Sequence, residues 1–357
     1  MNPGPSSPAG ANNFGALRLF FAALVVFAHV PEALDGDRHR EPLTWLSGGR
    51  LSCGDLAVDA FFLISGYLIP HSYLRSGSIA GYLHKRVLRI FPGFVAAYLV
   101  TVLVAAPLAG GDLRSALVPG QLAEHLARIV LLHGPFVKGS FVGQHYPALN
   151  VSVWTIPYEF NAYLLVIVLG LSGMLRHRVG LPLLALALLV LGTTGLQPGI
   201  ELPPTLAKII GTPQDNARLL GMFCAGAVFR LHADRIRLDH RGALVAAGAL
   251  LLALGQPRWA ELALAPLGGY LIFWFALKVH SRRLSRIGSG TDLSYGLYLY
   301  AWPVQNLLIR HLPGASPWML VPLTLAIAAG LGWLSWHLVE LPASRWRSRG
   351  TLAAVPA

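Results

Sequence analysis

The chain has 357 residues, of which 54% are hydrophobic and only 12% charged, and its formal net charge is +12. Soluble domains carry about 25% charged residues, so this composition excludes an ordinary water-soluble globule. Apolar runs long enough to cross a bilayer recur from end to end, and the expectation is an all-α polytopic membrane protein in one bundle.

In chain order, residues 1–13 (MNPGPSSPAGANN) are polar and rich in Pro and Gly, with no charged n-region and no small-residue cleavage pattern. They read as a disordered tail and not a signal peptide. Ten spans are expected within one transmembrane domain, 14–342, at about 14–33, 55–73, 92–110, 153–174, 180–196, 216–232, 242–256, 260–279, 292–311 and 317–339. The stretch QLAEHLARIVLLHG (121–134) is too short and too charged to span. It reads as an amphipathic or re-entrant piece of a long loop. Residues 343–357 form a basic tail. Cys224 falls inside a span and Cys53 in an outer loop, so no disulfide and no metal site is expected.

The basic residues lie between apolar segments and not in one patch, which argues for a topological role and against a nucleic-acid partner. With the N-terminus inside, the cytoplasmic side holds Arg75, Lys85, Arg86, Arg89, Arg176, Arg178, Arg230, Arg235, Arg237, Arg241, Lys278, Arg282, Arg283, Arg286, Arg345, Arg347 and Arg349. That is most of the 28 basic residues. The positive-inside rule therefore predicts an N-in, C-in protein, with 34–54, 111–152 and 197–215 on the outer face.

Ionisable groups at bilayer depth are costly and mark function. Four stand out: Arg18 and His29 in the first span, Asp59 in the second and Glu159 in the fourth. Eleven residues at about 100° each come to about three turns, so Arg18 and His29 share one helix face roughly 16 Å apart. The bland alternative has Arg18 snorkelling to phosphates and His29 resting at the interface. Asp55 reads as a helix N-terminal acid favoured by the dipole, with Asp59 one turn deeper. SGY (65–67) offers a small surface for helix packing. Pro157 followed by Glu159 suggests a bent helix start lining a cavity, where a carboxylate and an imidazole would make a general-base pair. Arg86 and Arg89, three apart, share a face. They are either positive-inside anchors or a fork for a phosphate-bearing cytoplasmic ligand.

These pieces, in this order, resemble membrane acyltransferase family 3, whose members include polysaccharide O-acetyltransferases. Arg18 to His29 fits its R-x10-H signature. GDLAVDAFFLISGYLI (54–69) resembles its second-span block, Arg86 and Arg89 its R-x-x-R element, and SVWTIPYEF (152–160) the block whose acid is Glu159. LSYGLYLYAWPVQ (293–305) and WHLVELPASR (336–345) resemble its closing segments. Ala301 stands where many relatives carry histidine, so no catalytic weight falls there.

The resemblance implies transfer of an acyl group, commonly acetyl from cytoplasmic acetyl-CoA, to a hydroxyl of a glycan such as a cell-surface polysaccharide or lipopolysaccharide. The setting it implies is the bacterial inner (cytoplasmic) membrane, with membrane lipids as surroundings. Arg86 and Arg89 would hold the CoA, and His29, oriented by Glu159 or Asp59 and aided by Arg18, would take the proton of the acceptor hydroxyl. Ser152, Trp154, Tyr295 and Tyr298 would line the substrate pocket. A proton-coupled transporter or glycan flippase would use the same residue types, but such proteins often show internal repeats and none is visible here. A third alternative is an envelope scaffold glued by its polar groups.

Overall fold

The computed structural model describes residues 12–49, 51–194, 202–256 and 259–345. Of the expected tails, 1–13 and 343–357, residues 1–11 and 346–357 lie outside the described residues, while 343–345 continue the closing helix instead of starting a tail. Asn13, placed in the N-terminal tail by sequence, is instead buried, and its amide donates to the Phe275 and Val279 carbonyls. Among the described residues the chain is all helical, with no strand.

Six helices are long and apolar enough to cross a membrane: α1 (Phe14–Asp35), α2 (Cys53–Leu74), α3 (Ile79–Leu108), then Ser152–Leu171, Ala260–Lys278 and Pro317–Arg345. An amphipathic helix, α4 (Pro119–Val130), precedes α5 (Ser152–Leu171). Two shorter apolar helices, α6 (Gly180–Thr193) and α8 (His240–Leu254), flank α7 (Pro213–Leu231). The chain closes with α9 (Ala260–Lys278), α10 (Leu293–His311) and α11 (Pro317–Arg345). It is a polytopic α-helical membrane protein.

Local chemistry sets the helix ends. Ser52 caps α2, accepting from the Asp55 N–H at 3.0 Å, while the Asp55 carboxylate accepts from the Ser52 N–H at 3.1 Å. This capping box makes Asp55 the helix-start acid that its position suggested. Gly36 closes α1 at φ 73°, a left-handed turn that glycine adopts without a Cβ penalty. The expected third span begins too late at 92. Ser78 caps a helix that starts at Ile79 and runs unbroken through Arg86 and Arg89, so these two arginines lie within it and not ahead of it.

In lipid, helices associate through close packing and not hydrophobic exclusion. The α2–α7 crossing shows this most clearly. A Cβ on Gly66 would fall 1.8 Å from the Phe223 carbonyl oxygen, and one on Gly226 would fall 2.0 Å from that of Leu63. The two backbones touch at the SGY motif. α1 packs on α2 and α10, and α10 packs on α11, so the first helix is a central wall.

The segment between α4 and α5 folds back into the bundle. The Asn150 amide donates to the Leu299 carbonyl at 2.8 Å, and the Trp302 indole donates to the Ala148 carbonyl at 3.0 Å. α5 consequently starts beside the middle of α10, where the Tyr298 hydroxyl donates to the Ser152 carbonyl. This displaces Glu159 along the bundle, with consequences for the site.

Candidate active site

α1, α2, α3, α5, α7 and α10 enclose a cavity of about 220 Å³. One wall is polar: Arg18, Arg86, Arg89, Glu159, Tyr163, Ser294 and Tyr295. The opposite wall is hydrocarbon from α2 and α7, including Phe61, Ile64, Leu68 and Phe223. Three cationic side chains thus face a space bounded by apolar helices, where solvent screening is weak.

Each guanidinium is held differently. Arg89 donates from Nη2 to Asp292 Oδ2 at 2.8 Å, lies 4.0 Å from the Glu340 carboxylate and sits over the Tyr295 ring at 5.4 Å. Arg18 Nη2 reaches the same Asp292 oxygen at 3.8 Å. Arg86 has no ion pair among the described residues. Its guanidinium lies between the rings of Tyr82 and Tyr163, at 5.7 and 5.5 Å, and its buried Nε lacks a hydrogen-bond partner. Stacking on aromatic faces stabilises a guanidinium without using its donors. Glu159, the only carboxylate in the cavity lining among the described residues, accepts a hydrogen bond from the Tyr163 hydroxyl.

His29 is elsewhere. One turn past Tyr298 on α10, Trp302 meets the His29 ring edge-on at 5.1 Å, and the Gln305 amide donates to the His29 backbone carbonyl at 2.8 Å. Its ring partner is Glu32: Nδ1 lies 3.1 Å from Oε2, one helical turn along α1. Glu32 Oε1 in turn accepts from Arg38 Nε at 2.9 Å. The result is a chain, Arg38–Glu32–His29, that leaves Nε2 of the ring as the free end. Close by, burial and then the Glu32 charge raise the Tyr146 phenol above its ordinary range, keeping it a neutral donor.

The expectation that Glu159 or Asp59 orients His29 is therefore corrected. Glu159 sits with the arginines because α5 begins deep in the bundle. Asp59 is fully buried and bonded to Arg218 of α7 at 3.0 Å, with Asp55 3.7 Å from the same nitrogen. It braces the α2–α7 crossing and does not line the cavity. Arg18, expected beside His29, lines one cavity with Arg86, Arg89, Tyr295 and Tyr298. Ser152 and Trp154 do not. Ser152 presents its carbonyl to Tyr298, and Trp154 turns away to meet Tyr158 edge-on at 5.7 Å.

Sequence reasoning missed Glu32, Arg38, Asp292, Arg218 and Glu340. Glu32 was legible as the acid three residues after His29, a spacing at which helical side chains meet. Asp292 was legible as an N-cap acid two residues before Ser294. Glu340 lies in the WHLVELPASR segment but was given no role there, and Arg218 had no such local signal, since its partners are distant in sequence.

With the geometry in hand, comparison with known proteins is direct. The model of the acyltransferase family 3 domain, described as "Acyltransferase domain", matches residues 12–337. The chain belongs to that family, and it is a membrane acyltransferase. It is 29% identical to nodulation protein 10 of Rhizobium leguminosarum bv. viciae, covering 98% of this chain and 97% of that protein. It is also 26% identical to an O-acetyl transferase of Shigella phage Sf6, covering 92% and 95% respectively. No solved structure matches it.

Proposed function

We propose that the protein is an integral membrane O-acyltransferase that moves an acyl group, preferentially acetyl, from a CoA thioester to a hydroxyl of a cell-surface polysaccharide or lipopolysaccharide. Its place would be the bacterial inner membrane, with ten spans, both termini in the cytoplasm and the acceptor on the outer side. The excess of Lys and Arg on one set of loops supports that orientation. The observation that carries the reading is Arg86: a buried arginine over two tyrosine rings, its Nε without a partner, lining a cavity with two further arginines.

Arginines suit the phosphates of a CoA donor. A volume of about 220 Å³ is below the roughly 300–1,000 Å³ of pockets for drug-sized ligands. The cavity therefore takes the reacting arm of the donor while the nucleotide stays at its mouth. The arm would extend past Phe61 and Tyr298 toward His29.

There His29 Nε2 would accept the proton of the acceptor hydroxyl as its oxygen attacks the thioester carbonyl. Glu32, accepting from Nδ1–H, fixes the tautomer and stabilises the imidazolium. Collapse of the tetrahedral intermediate breaks the C–S bond, and the imidazolium returns its proton to the departing thiolate. The Shigella phage relative named as an O-acetyl transferase supports an oxygen acceptor and an acetyl donor.

The test compares surface glycan with and without the protein by mass spectrometry. A gain per sugar equal to one acetyl group replacing one hydrogen is expected, and it should vanish in His29→Ala protein that still inserts. Unchanged glycan mass alongside ion-coupled uptake would replace this reading with a transporter.

A further inference from the structure

We propose that Asp292 is a positioning residue for the acyl donor, holding Arg18 and Arg89 together as a single two-armed fork. The proposal rests on the arginine cavity being the donor site.

Arg18 and Arg89 come from different helices, yet both reach one carboxylate oxygen, at 3.8 and 2.8 Å. Two guanidiniums brought this close between apolar helices repel strongly, because little water screens them. One negative charge placed between them offsets that repulsion and lets the two arms sit side by side. The two oxygens of Asp292 divide their work. Oδ1 accepts from the backbone N–H of Ser294 at 3.2 Å and from its hydroxyl, capping α10. Oδ2 is thereby turned toward the arginines. Asp292 is itself only 8% exposed, so its orientation is set by the cap and not by solvent.

What remains unbonded also points to a ligand. Arg18 Nε is buried without a partner, and both arginines line the cavity. A fork with a buried Nε left unbonded after binding its own counter-ion fits a phosphate of the donor. The residue that aligns it controls donor capture and not the proton transfer at His29.

The cap allows a clean test. Asparagine caps helices as well as aspartate, so Asp292→Asn preserves α10 while removing the charge between the arginines. Full-length protein in lipid nanodiscs would be assayed for acetyl transfer over a range of acetyl-CoA, with CoA binding measured separately by titration. Asp292→Asn should raise the KM for acetyl-CoA by about 10-fold or more, as expected for losing a charge-assisted bond, with kcat at saturating donor within about threefold. Asp292→Glu should recover part of the affinity.

An unchanged KM, or a fall confined to kcat, overturns the proposal. Should Asp292→Asn not fold, Asp292→Ser, which also caps without charge, must show the same KM rise, and a normal KM there overturns it equally. Wild-type protein that binds no CoA at all would instead defeat the assignment of the cavity, and the positioning role with it.

Discussion

The two ends of the polar path through this bundle are built on opposite rules. Around Arg86 the chain leaves buried donors unsatisfied and pins the charge with aromatic faces. Around His29 the ring and its carboxylate are bonded in series, from Arg38 through Glu32 to Nδ1, so that one ring nitrogen remains for chemistry. The first arrangement suits an anion. The second suits proton transfer. In the proposed function, donor capture and acid–base work therefore occupy different stretches of α1 and α10, joined past Tyr298.

That division can be broken by substitution. The largest effect is expected at His29. Replacing it with alanine should cut acyl transfer by about 10²–10⁴-fold, the usual contribution of a general base, while CoA affinity stays as in the wild type. Loss of CoA binding in His29→Ala would merge the two ends into one site. Next comes Asp59. Asp59→Asn leaves Arg218 without its closest buried counter-charge, and breaking such a pair costs about 3–5 kcal/mol. Folded yield and thermal midpoint should fall together, and activity per folded molecule should survive far better than in His29→Ala.

Arg86→Ala should raise the KM for acetyl-CoA by about 10–100-fold, in line with losing one or two charge-assisted bonds. Arg86→Lys should recover little, because an ammonium cannot stack between two rings as a planar guanidinium does. A kcat loss with unchanged KM would show Arg86 acting on the reaction and not on the donor. Glu32→Gln should lower kcat by about 10-fold, the lower end of what proton-transfer groups contribute, and leave the KM for donor alone. The smallest change is expected at Trp154, which faces Tyr158 and not the cavity. Trp154→Phe should shift either kinetic constant by no more than about twofold.

Much of this arrangement was legible in the sequence, and the reasons are physical. Periodicity placed Arg18 and His29 on one face and marked Arg86 and Arg89 as neighbours, because helix geometry is local. Among the described residues each segment expected to span overlaps a helix, and six of those helices are long and apolar enough to cross a membrane, since apolar runs of that length satisfy their backbone hydrogen bonds only that way. The partner of His29 was misjudged because depth was inferred by counting from each span's start. The folded-back segment ahead of α5, tied by Asn150 and Trp302, moves Glu159 along the bundle in a manner that hydropathy does not encode. Asp59 was misread for a related reason. A buried carboxylate looks catalytic until its counter-ion is found, and Arg218 lies 159 residues away.

Single-turnover transfer from radiolabelled acetyl-CoA, with binding measured on the same nanodisc samples, tests the division most directly in His29→Ala and Arg86→Ala protein. Separate ends require that the first variant bind donor normally yet transfer about 10²–10⁴-fold more slowly, and that the second bind poorly yet transfer once donor is forced to saturation. Two variants failing alike in both binding and transfer would contradict it.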